Sequence, residues 1–457
     1  MRILPVFVLC TLVACAPQPS QEVSKSSTEQ SGISTTKPAR AAFSGTPGRA
    51  PQRSNTEMAG DFLDLEFRME SGRSLPALTR FDGPITIGLT GDVPATARGD
   101  LDRLITRFRN EAGLDVRPAD PGRPASITIS FHPRAEMQRI VPTAACFVVP
   151  RATTLAEYRA MRNTAFVDWA TLTRREAVSI FVPSDTSPQE VRDCLHEEVA
   201  QAMGPLNDLY RLPDSVFNDD NFNTVLTGFD MLMLRLHYAP ELANGMNEAE
   251  VAARLPALLA RLNPAGQFGG SRPSQIAPRA WNDAVSSAFG IRAGLGGRQA
   301  GADRMLAIAR AQGWTDSRMG FAYFALGRVN AASDPQAAVA AFANAGRIYR
   351  SLPGAAIHAA HVDMQMAALA LASGQPDQAI QFVDRALPAV KRAENASLLA
   401  TLMLVKAEAL EATGRLTEAR ALRLDSQGWA RYGFGADTQV RARTSEIAAL
   451  AARGMRS

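Results

Sequence analysis

The sequence predicts a mixed α+β domain followed by an all-helical domain, within a chain of 457 residues. Two observations predict this organisation. Short apolar segments with strand-like patterns alternate with amphipathic helical patterns over residues 60–250. From Ala280 onward only helical patterns occur, and small residues recur in them at intervals of about forty residues. We place the α+β domain at 58–270 and the helical domain at 271–457.

The composition is that of a globular protein, with 46% hydrophobic and 21% charged residues. The net charge is only +4, and no basic stripe with interleaved aromatic residues occurs, so we expect no nucleic-acid partner. The sequence also lacks a phosphate-binding loop, a dinucleotide fingerprint and a G-x-S-x-G nucleophile motif. These common classes of enzyme are therefore not indicated.

The N-terminus has the features of a lipoprotein signal peptide, assigned to residues 1–15. Arg2 precedes an apolar core that ends in Leu12-Val13-Ala14-Cys15, a bacterial lipoprotein box. The pattern predicts lipidation of Cys15, a membrane anchor and a periplasm-facing place in the bacterial cell envelope. The alternative is a plain signal peptide with a chance cysteine. Ala16 after the cysteine favours the outer membrane, and the polar composition of 16–57 predicts a disordered tether.

Local patterns predict the elements of the α+β domain. Strand patterns occur at 85–89, 126–131, 145–149 and 177–182. A helix is predicted over 100–112, closed by Gly113, and another over 250–262. A further helix begins at Ser187-Pro188-Gln189-Glu190, which predicts a capping box with a proline at the first helical position.

This capped helix carries the segment of 197–208, which has the spacing H-E-x-x-H-x-x-G-x-x-H-D of a metzincin zinc site. Glu197, Gln201 and Asn207 stand at the three histidine positions, while Glu198 occupies the position of the catalytic glutamate. Gly204 is expected to end the helix in a left-handed conformation. His196 offers a second register, in which Ala200 replaces the second histidine.

The candidate metal ligands are therefore Glu197, Gln201, Asn207 and His196. Amide and carboxylate oxygens suit calcium or magnesium better than zinc, so we expect either no cofactor or an unidentified divalent metal. If the protein is an enzyme, Glu198 is the predicted general base.

Two further segments, Ser215-Val216-Phe217-Asn218-Asp219 and 229–238, accompany the motif. With them the chain resembles a zincin-like family of bacterial lipoproteins, the domain of unknown function 2927, over about residues 60–250. The resemblance implies a zincin-like (metalloprotease-like) fold without an assigned activity. It also implies that an E-E-x-x-Q core is common in the family.

Cys146 and Cys194 are the two cysteines that remain after the signal peptide and the lipidated Cys15 are accounted for. In an oxidising compartment they are expected to form a disulfide. The alternative is a pair of buried free thiols.

The helical domain contains an internal repeat. Gly374, Ala379, Val383 and Ala386 recur in part as Gly414 and Ala419, and an earlier unit contains Ala338, Phe342 and Ala345. This spacing favours stacked helix pairs similar to tetratricopeptide repeats over a non-repetitive bundle. We therefore expect residues 280–457 to bind a protein partner.

Two functions compete, beside a third and purely structural role in which the zincin-like lobe is a spacer. The first is an envelope lipoprotein with a degenerate, non-catalytic zincin-like domain and a helical-repeat scaffold for protein–protein interaction. The second is a metal-dependent hydrolase, or peptidase, with an atypical metal site and Glu198 as general base.

Overall fold

The computed structural model describes residues 48–120, 122–270, 275–290 and 293–454, together with Phe43 and the backbone of Ser24–Ser26. The predicted signal peptide, including Cys15, lies outside the described residues. Within the described part of the chain, an α/β domain is followed by an all-helical domain, as the sequence predicts.

The α/β domain is built on one mixed sheet. Its strands are β1 (Ser24–Ser26), β2 (Ile85–Gly91), β3 (Val116–Pro118), β4 (Ile127–His132), β5 (Ala144–Pro150) and β6 (Val178–Pro183). The spatial order is β1-β5-β6-β4-β2-β3. Strands β3, β2, β4 and β6 are parallel, whereas β5 and β1 add to the other edge in antiparallel orientation. The four strands predicted from sequence are β2, β4, β5 and β6, which are therefore confirmed.

Eight helices surround this sheet. They are α1 (Asn55–Glu66), α2 (Ala97–Arg107), α3 (Arg134–Ile140), α4 (Leu155–Met161), α5 (Pro188–Met203), α6 (Gly228–His237), α7 (Glu248–Ala252) and α8 (Leu255–Leu262). A π-helical turn, Phe108–Ala112, extends α2 to Gly113, whose φ of 69° gives the expected left-handed end. The single helix predicted over 250–262 is wrong, because two helices meet there and Pro256 lies in the first turn of the second.

The helical domain consists of α9 (Arg279–Phe289), α10 (Leu295–Ala311), α11 (Ser317–Asn330), α12 (Pro335–Ser351), α13 (Ala356–Ala372), α14 (Pro376–Arg392), α15 (Ala396–Ala412), α16 (Leu416–Phe434) and α17 (Asp437–Gly454). Helices α11 and α12, α13 and α14, and α15 and α16 pack as successive pairs.

Small residues permit this close packing, as the repeat pattern predicts. Ala338, Ala379 and Ala419 lie in the first turns of α12, α14 and α16 and are fully buried. A Cβ on Gly327 would lie 2.5 Å from the ring of Phe342, so only glycine fits there. Gly374, with φ of 68°, lies in the turn between α13 and α14.

Parts of the predicted tether are ordered. Ser24–Ser26 pair with β5, and the ring centroid of Phe43 lies 4.6 Å from that of Trp429. Helix α1 begins at Asn55, with Ser54 as its N-cap. These described residues of the segment thus contact the two folded domains.

The two domains are packed against each other through the segment of 205–227, here named the docking loop. Tyr210 and Phe222 of this loop belong to the buried apolar cluster of the helical domain, beside Trp281 and Phe321. A buried hydrogen bond of 2.8 Å joins Asp220 Oδ2 to Nε2 of His358 on α13. The docking loop is therefore an integral part of both cores.

Helix α5 makes a second connection between the domains. The Gln189 side chain contacts Asn395 Oδ1 at 3.1 Å and accepts the N–H of Ser397 at 2.7 Å. Tyr432 of α16 donates its hydroxyl to Asp100 of α2 at 2.9 Å. Across the residues the structure describes, no helix is both long and apolar enough to cross a bilayer.

Candidate functional site

Helix α5 carries the motif, and its start is fixed by local sequence. Ser187 Oγ accepts the N–H of Glu190 at 3.2 Å, as a capping residue should. The capping box is incomplete, because the Glu190 carboxylate accepts from Thr186 and Arg134 instead of returning to the Ser187 backbone. This corrects the prediction of a full box.

A disulfide joins α5 to the sheet. Cys194 of α5 and Cys146 of β5 are bonded, with their Cα atoms 6.1 Å apart. This is the pairing that the sequence predicts. Both residues are fully buried, so the link lies inside the core and holds the motif helix on strand β5.

The five candidate side chains of the motif are all in the interior. Glu198 and Gln201 are 0% exposed, and His196, Glu197 and Asn207 are at most 5% exposed. Sequence reasoning placed a polar metal face here. In the structure the same face is enclosed by protein.

Three of these side chains make internal hydrogen bonds. Nδ1 of His196 accepts the N–H of Leu226 in the docking loop at 3.1 Å. The Asn207 amide donates to the backbone carbonyl of Asp64 in α1 at 2.9 Å. The Gln201 amide donates to Oδ2 of Asp208 at 3.3 Å. Through these hydrogen bonds, the motif side chains connect α5 to α1 and to the docking loop.

This arrangement does not fit a zinc centre. Zinc prefers imidazole and thiolate ligands, whereas Asn207 and Gln201 offer only amide oxygens and Nδ1 of His196 is already engaged by the N–H of Leu226. Among the described residues no group of three or more His, Cys, Asp or Glu side chains is placed to hold a metal ion.

Gly204 corrects a further expectation. Its φ is −149°, so the predicted left-handed helix end is wrong. A Cβ at this position would lie 3.3 Å from Leu234 and 3.4 Å from the His237 ring, both on α6. Glycine permits this close approach of α6. His237 in turn lies 2.9 Å from Oε1 of Glu66 through Nδ1, and is a buried structural residue.

A cluster of carboxyl groups lies beside the motif. Burial raises the pKa of Asp208 well above its usual value, and the nearby carboxyls of Glu70, Glu197 and Asp219 and a hydrogen bond with Glu70 raise it further. Burial and these neighbouring charges therefore favour the protonated form of Asp208.

Asp208 and Glu70 line a small cavity between the domains. The cavity has a volume of about 150 Å³. Its walls include Glu70, Asn207, Asp208, Tyr210, Arg279, Asn282 and Arg318. Burial raises the pKa of Tyr210 well above its usual value, so its hydroxyl stays protonated and donates to Asp219 at 2.9 Å. Glu198 is not among the lining residues.

Sequence reasoning identified Asp208 as the closing residue of the motif but missed Glu70, Arg279 and Arg318. Glu70 follows α1, and the two arginines belong to α9 and α11 of the other domain. No local spacing could have revealed them, since they meet only when the two domains pack.

Comparison with known proteins gives one match. Residues 55–257 match a family described as "Protein of unknown function (DUF2927)". The matched range runs from the start of α1 into α8, so it spans the α/β domain, and the description names no activity. No curated protein and no solved structure matches the chain.

Proposed function

We propose that the protein is a lipid-anchored scaffold of the bacterial cell envelope. Its α/β domain is zincin-like and non-catalytic, and its tetratricopeptide-like repeat binds a protein partner through residues 280–457. The lipid on Cys15 holds the chain at a membrane, with the outer membrane favoured, and the folded part faces the periplasm.

The observation that carries this proposal is the position of the docking loop. A substrate could reach Glu198 only if the chain beyond the motif helix left space beside it. Here that chain is packed into the helical domain by Tyr210 and Phe222. Opening a cleft at this place would expose both aromatic side chains and break the buried Asp220–His358 contact.

The alternative, a metal-dependent hydrolase, requires Glu198 to reach a water molecule and a substrate. A general base must come within hydrogen-bond distance of the proton that it removes. Glu198 is 0% exposed and does not line the neighbouring cavity. This burial favours the non-catalytic reading.

The enzymatic alternative is tested with the soluble mature chain, residues 16–457 with Cys15 removed. Metal content is measured after purification and after exposure to zinc, calcium or magnesium, and peptide cleavage is compared with a Glu198→Gln variant. We expect no stoichiometric metal and equal background cleavage. Chelator-sensitive cleavage that disappears in Glu198→Gln would establish the hydrolase instead.

The partner surface is expected on the exposed face of α16, which carries large apolar side chains in contact with solvent. Leu424 of α16 is 67% exposed and Leu416 is 49% exposed. A photo-crosslinking residue at Leu424 should form one discrete adduct in cells. The matched control is Val93 of the α/β domain, which is 36% exposed. Adducts at Val93 but none at Leu424 would move the binding function to the α/β domain.

A further inference from the structure

A serine, a histidine and a glutamate lie together at the C-terminal end of β4, away from the motif. Ser130 Oγ is 2.8 Å from Nε2 of His132, and Nδ1 of the same ring is 3.5 Å from Oε2 of Glu136. In serine hydrolases a nucleophile, a general base and a carboxylate that orients the base are related in this way. The three side chains therefore have the connectivity of a Ser–His–Glu triad.

Local structure explains this arrangement. Ser130 and His132 are two residues apart on one strand, so their side chains lie on the same face of the sheet. Pro133 follows as the N-cap residue of α3, and Glu136 lies in the first turn of that helix. The N–H of Glu136 donates to the carbonyl of Pro133 at 2.9 Å, which turns the carboxylate back towards the imidazole.

The triad lies on the face of the sheet opposite to the motif helix. Ile129 and Phe131 alternate with the triad residues and belong to the apolar cluster that includes α5. His132 packs instead on Phe181 of a separate apolar cluster, with ring centroids 5.9 Å apart. Strand β4 is parallel to its neighbours β2 and β6. The carboxyl ends of parallel strands are the edge where such sheets bind ligands.

Unlike Glu198, the triad is open to solvent. The side chains of His132 and Glu136 are 23% and 49% exposed. Ser130 is 6% exposed, and Thr90, its neighbour in the register of β2 and β4, is exposed. Because residues in register share a face of the sheet, the Thr90 hydroxyl is on the same side as the Ser130 hydroxyl. It is a donor for the oxyanion that forms when a serine attacks a carbonyl group.

We propose that Ser130, His132 and Glu136 form an esterase site for small carboxylic esters. Glu136 orients His132, so that Nε2 takes the serine proton as Oγ bonds to the acyl carbon. The ester C–O bond then breaks, and the alcohol leaves with this proton. His132 next takes a proton from water as the water oxygen bonds to the acyl carbon. The carboxylic acid is released, and the proton returns to Ser130.

The low exposure of Ser130 favours esters with a short acyl chain. The activity goes beyond the scaffold function, in which the site that lacks catalysis is that of Glu198. The two sites lie on opposite faces of the sheet, so either can be tested without the other.

The first experiment treats the soluble mature chain with a fluorophosphonate, which phosphonylates activated serines, and locates the adduct by peptide mass spectrometry. We expect the adduct on Ser130 and not on Ser126. Ser126 is the matched control, because it directly precedes the same strand and is more exposed, but its hydroxyl lies 3.2 Å from that of Thr86. Absence of the adduct from Ser130, or equal labelling of both serines, overturns the proposal.

The second experiment measures hydrolysis of p-nitrophenyl acetate. His132→Gln should lower kcat by about a hundredfold or more, and Ser126→Ala should leave it unchanged. Glu136 is a positioning residue, so Glu136→Gln should lower kcat by about tenfold or more while KM stays the same. Ser130→Ala should remove the activity, and hydrolysis by this variant at the wild-type rate overturns the proposal. The labelling experiment uses the unaltered side chains, so it decides the question even if a variant fails to fold.

Discussion

Phe222 offers the most direct test of the docking loop, because its ring lies inside the helical domain. The Phe222 ring centroid lies 4.6 Å from that of His361, 4.7 Å from that of His358 and 5.1 Å from that of Phe324. The side chain is 4% exposed. Replacing it with alanine removes these contacts and leaves a cavity where the domains meet.

The expected cost is about 3–5 kcal/mol, the usual range for truncation of a buried phenylalanine. An unfolding entropy of about 2.1 cal/mol/K per residue over about 400 folded residues gives about 0.8 kcal/mol/K. Phe222→Ala should therefore lower the melting temperature by about 4–6 °C, if the two domains unfold together.

Differential scanning calorimetry of the soluble mature chain measures this effect. We expect one transition in the wild type and one lowered transition in Phe222→Ala. Phe268→Ala is the matched control, since Phe268 is 53% exposed and should leave the melting temperature nearly unchanged. Two separate transitions, or a shift no larger than that of the control, would refute the argument that the docking loop makes the domains one cooperative unit.

Three further outcomes are expected. Replacing Cys146 and Cys194 by serine should cost about 4 kcal/mol in urea denaturation, from the chain entropy of the loop that the disulfide closes; an effect below about 1 kcal/mol would show that the entropy argument fails here. Burial raises the pKa of Asp230 to about 6, so its native carboxyl holds a proton between pH 4 and 6 that the unfolded chain has lost, and stability falls as the pH rises from about 4 to 6. The stability of the wild type relative to Asp230→Asn should thus fall by about 2 kcal/mol from pH 4 to pH 8, and a constant difference would contradict the assignment. Cys15→Ser should move the protein from the membrane to the soluble fraction; continued membrane binding with palmitate labelling would rule out Cys15 as the anchor.

Much of the fold could be predicted because it is encoded locally. The four central strands have period-two or continuous apolar patterns. The start of α5 is predicted by Ser187 as the N-cap and Pro188 as the first helical residue. The pairing of helices in the second domain could be predicted from the small residues that lie between them. Strand β3 was missed because its three residues, ending in Pro118, carry no strand pattern.

The candidate site was harder to predict, because its contacts are long-range. Asp208 meets Glu70 through the tertiary fold, and Asp220 meets His358 only across the domain boundary. Gly204 was assigned a helix-ending conformation from the motif, but the packing of His237 against it decides its role. A motif fixes which residues share a helix face. It does not fix what that face is packed against.

The residues of the motif make structural contacts in this chain, and these contacts require no metal. The turn after α5 brings Asn207 against α1 and Asp208 against Gln201. The chain then continues as the loop that inserts Tyr210 and Phe222 into the helical domain. Asp230 closes the loop by accepting from Ser215, Val216 and Thr227 at 2.5–3.2 Å. Each of these contacts would be lost if the loop moved aside to admit a substrate to Glu198. Because several buried polar groups would lose their partners at once, the open state is costly, and a structural role for the motif is the more economical account of its geometry.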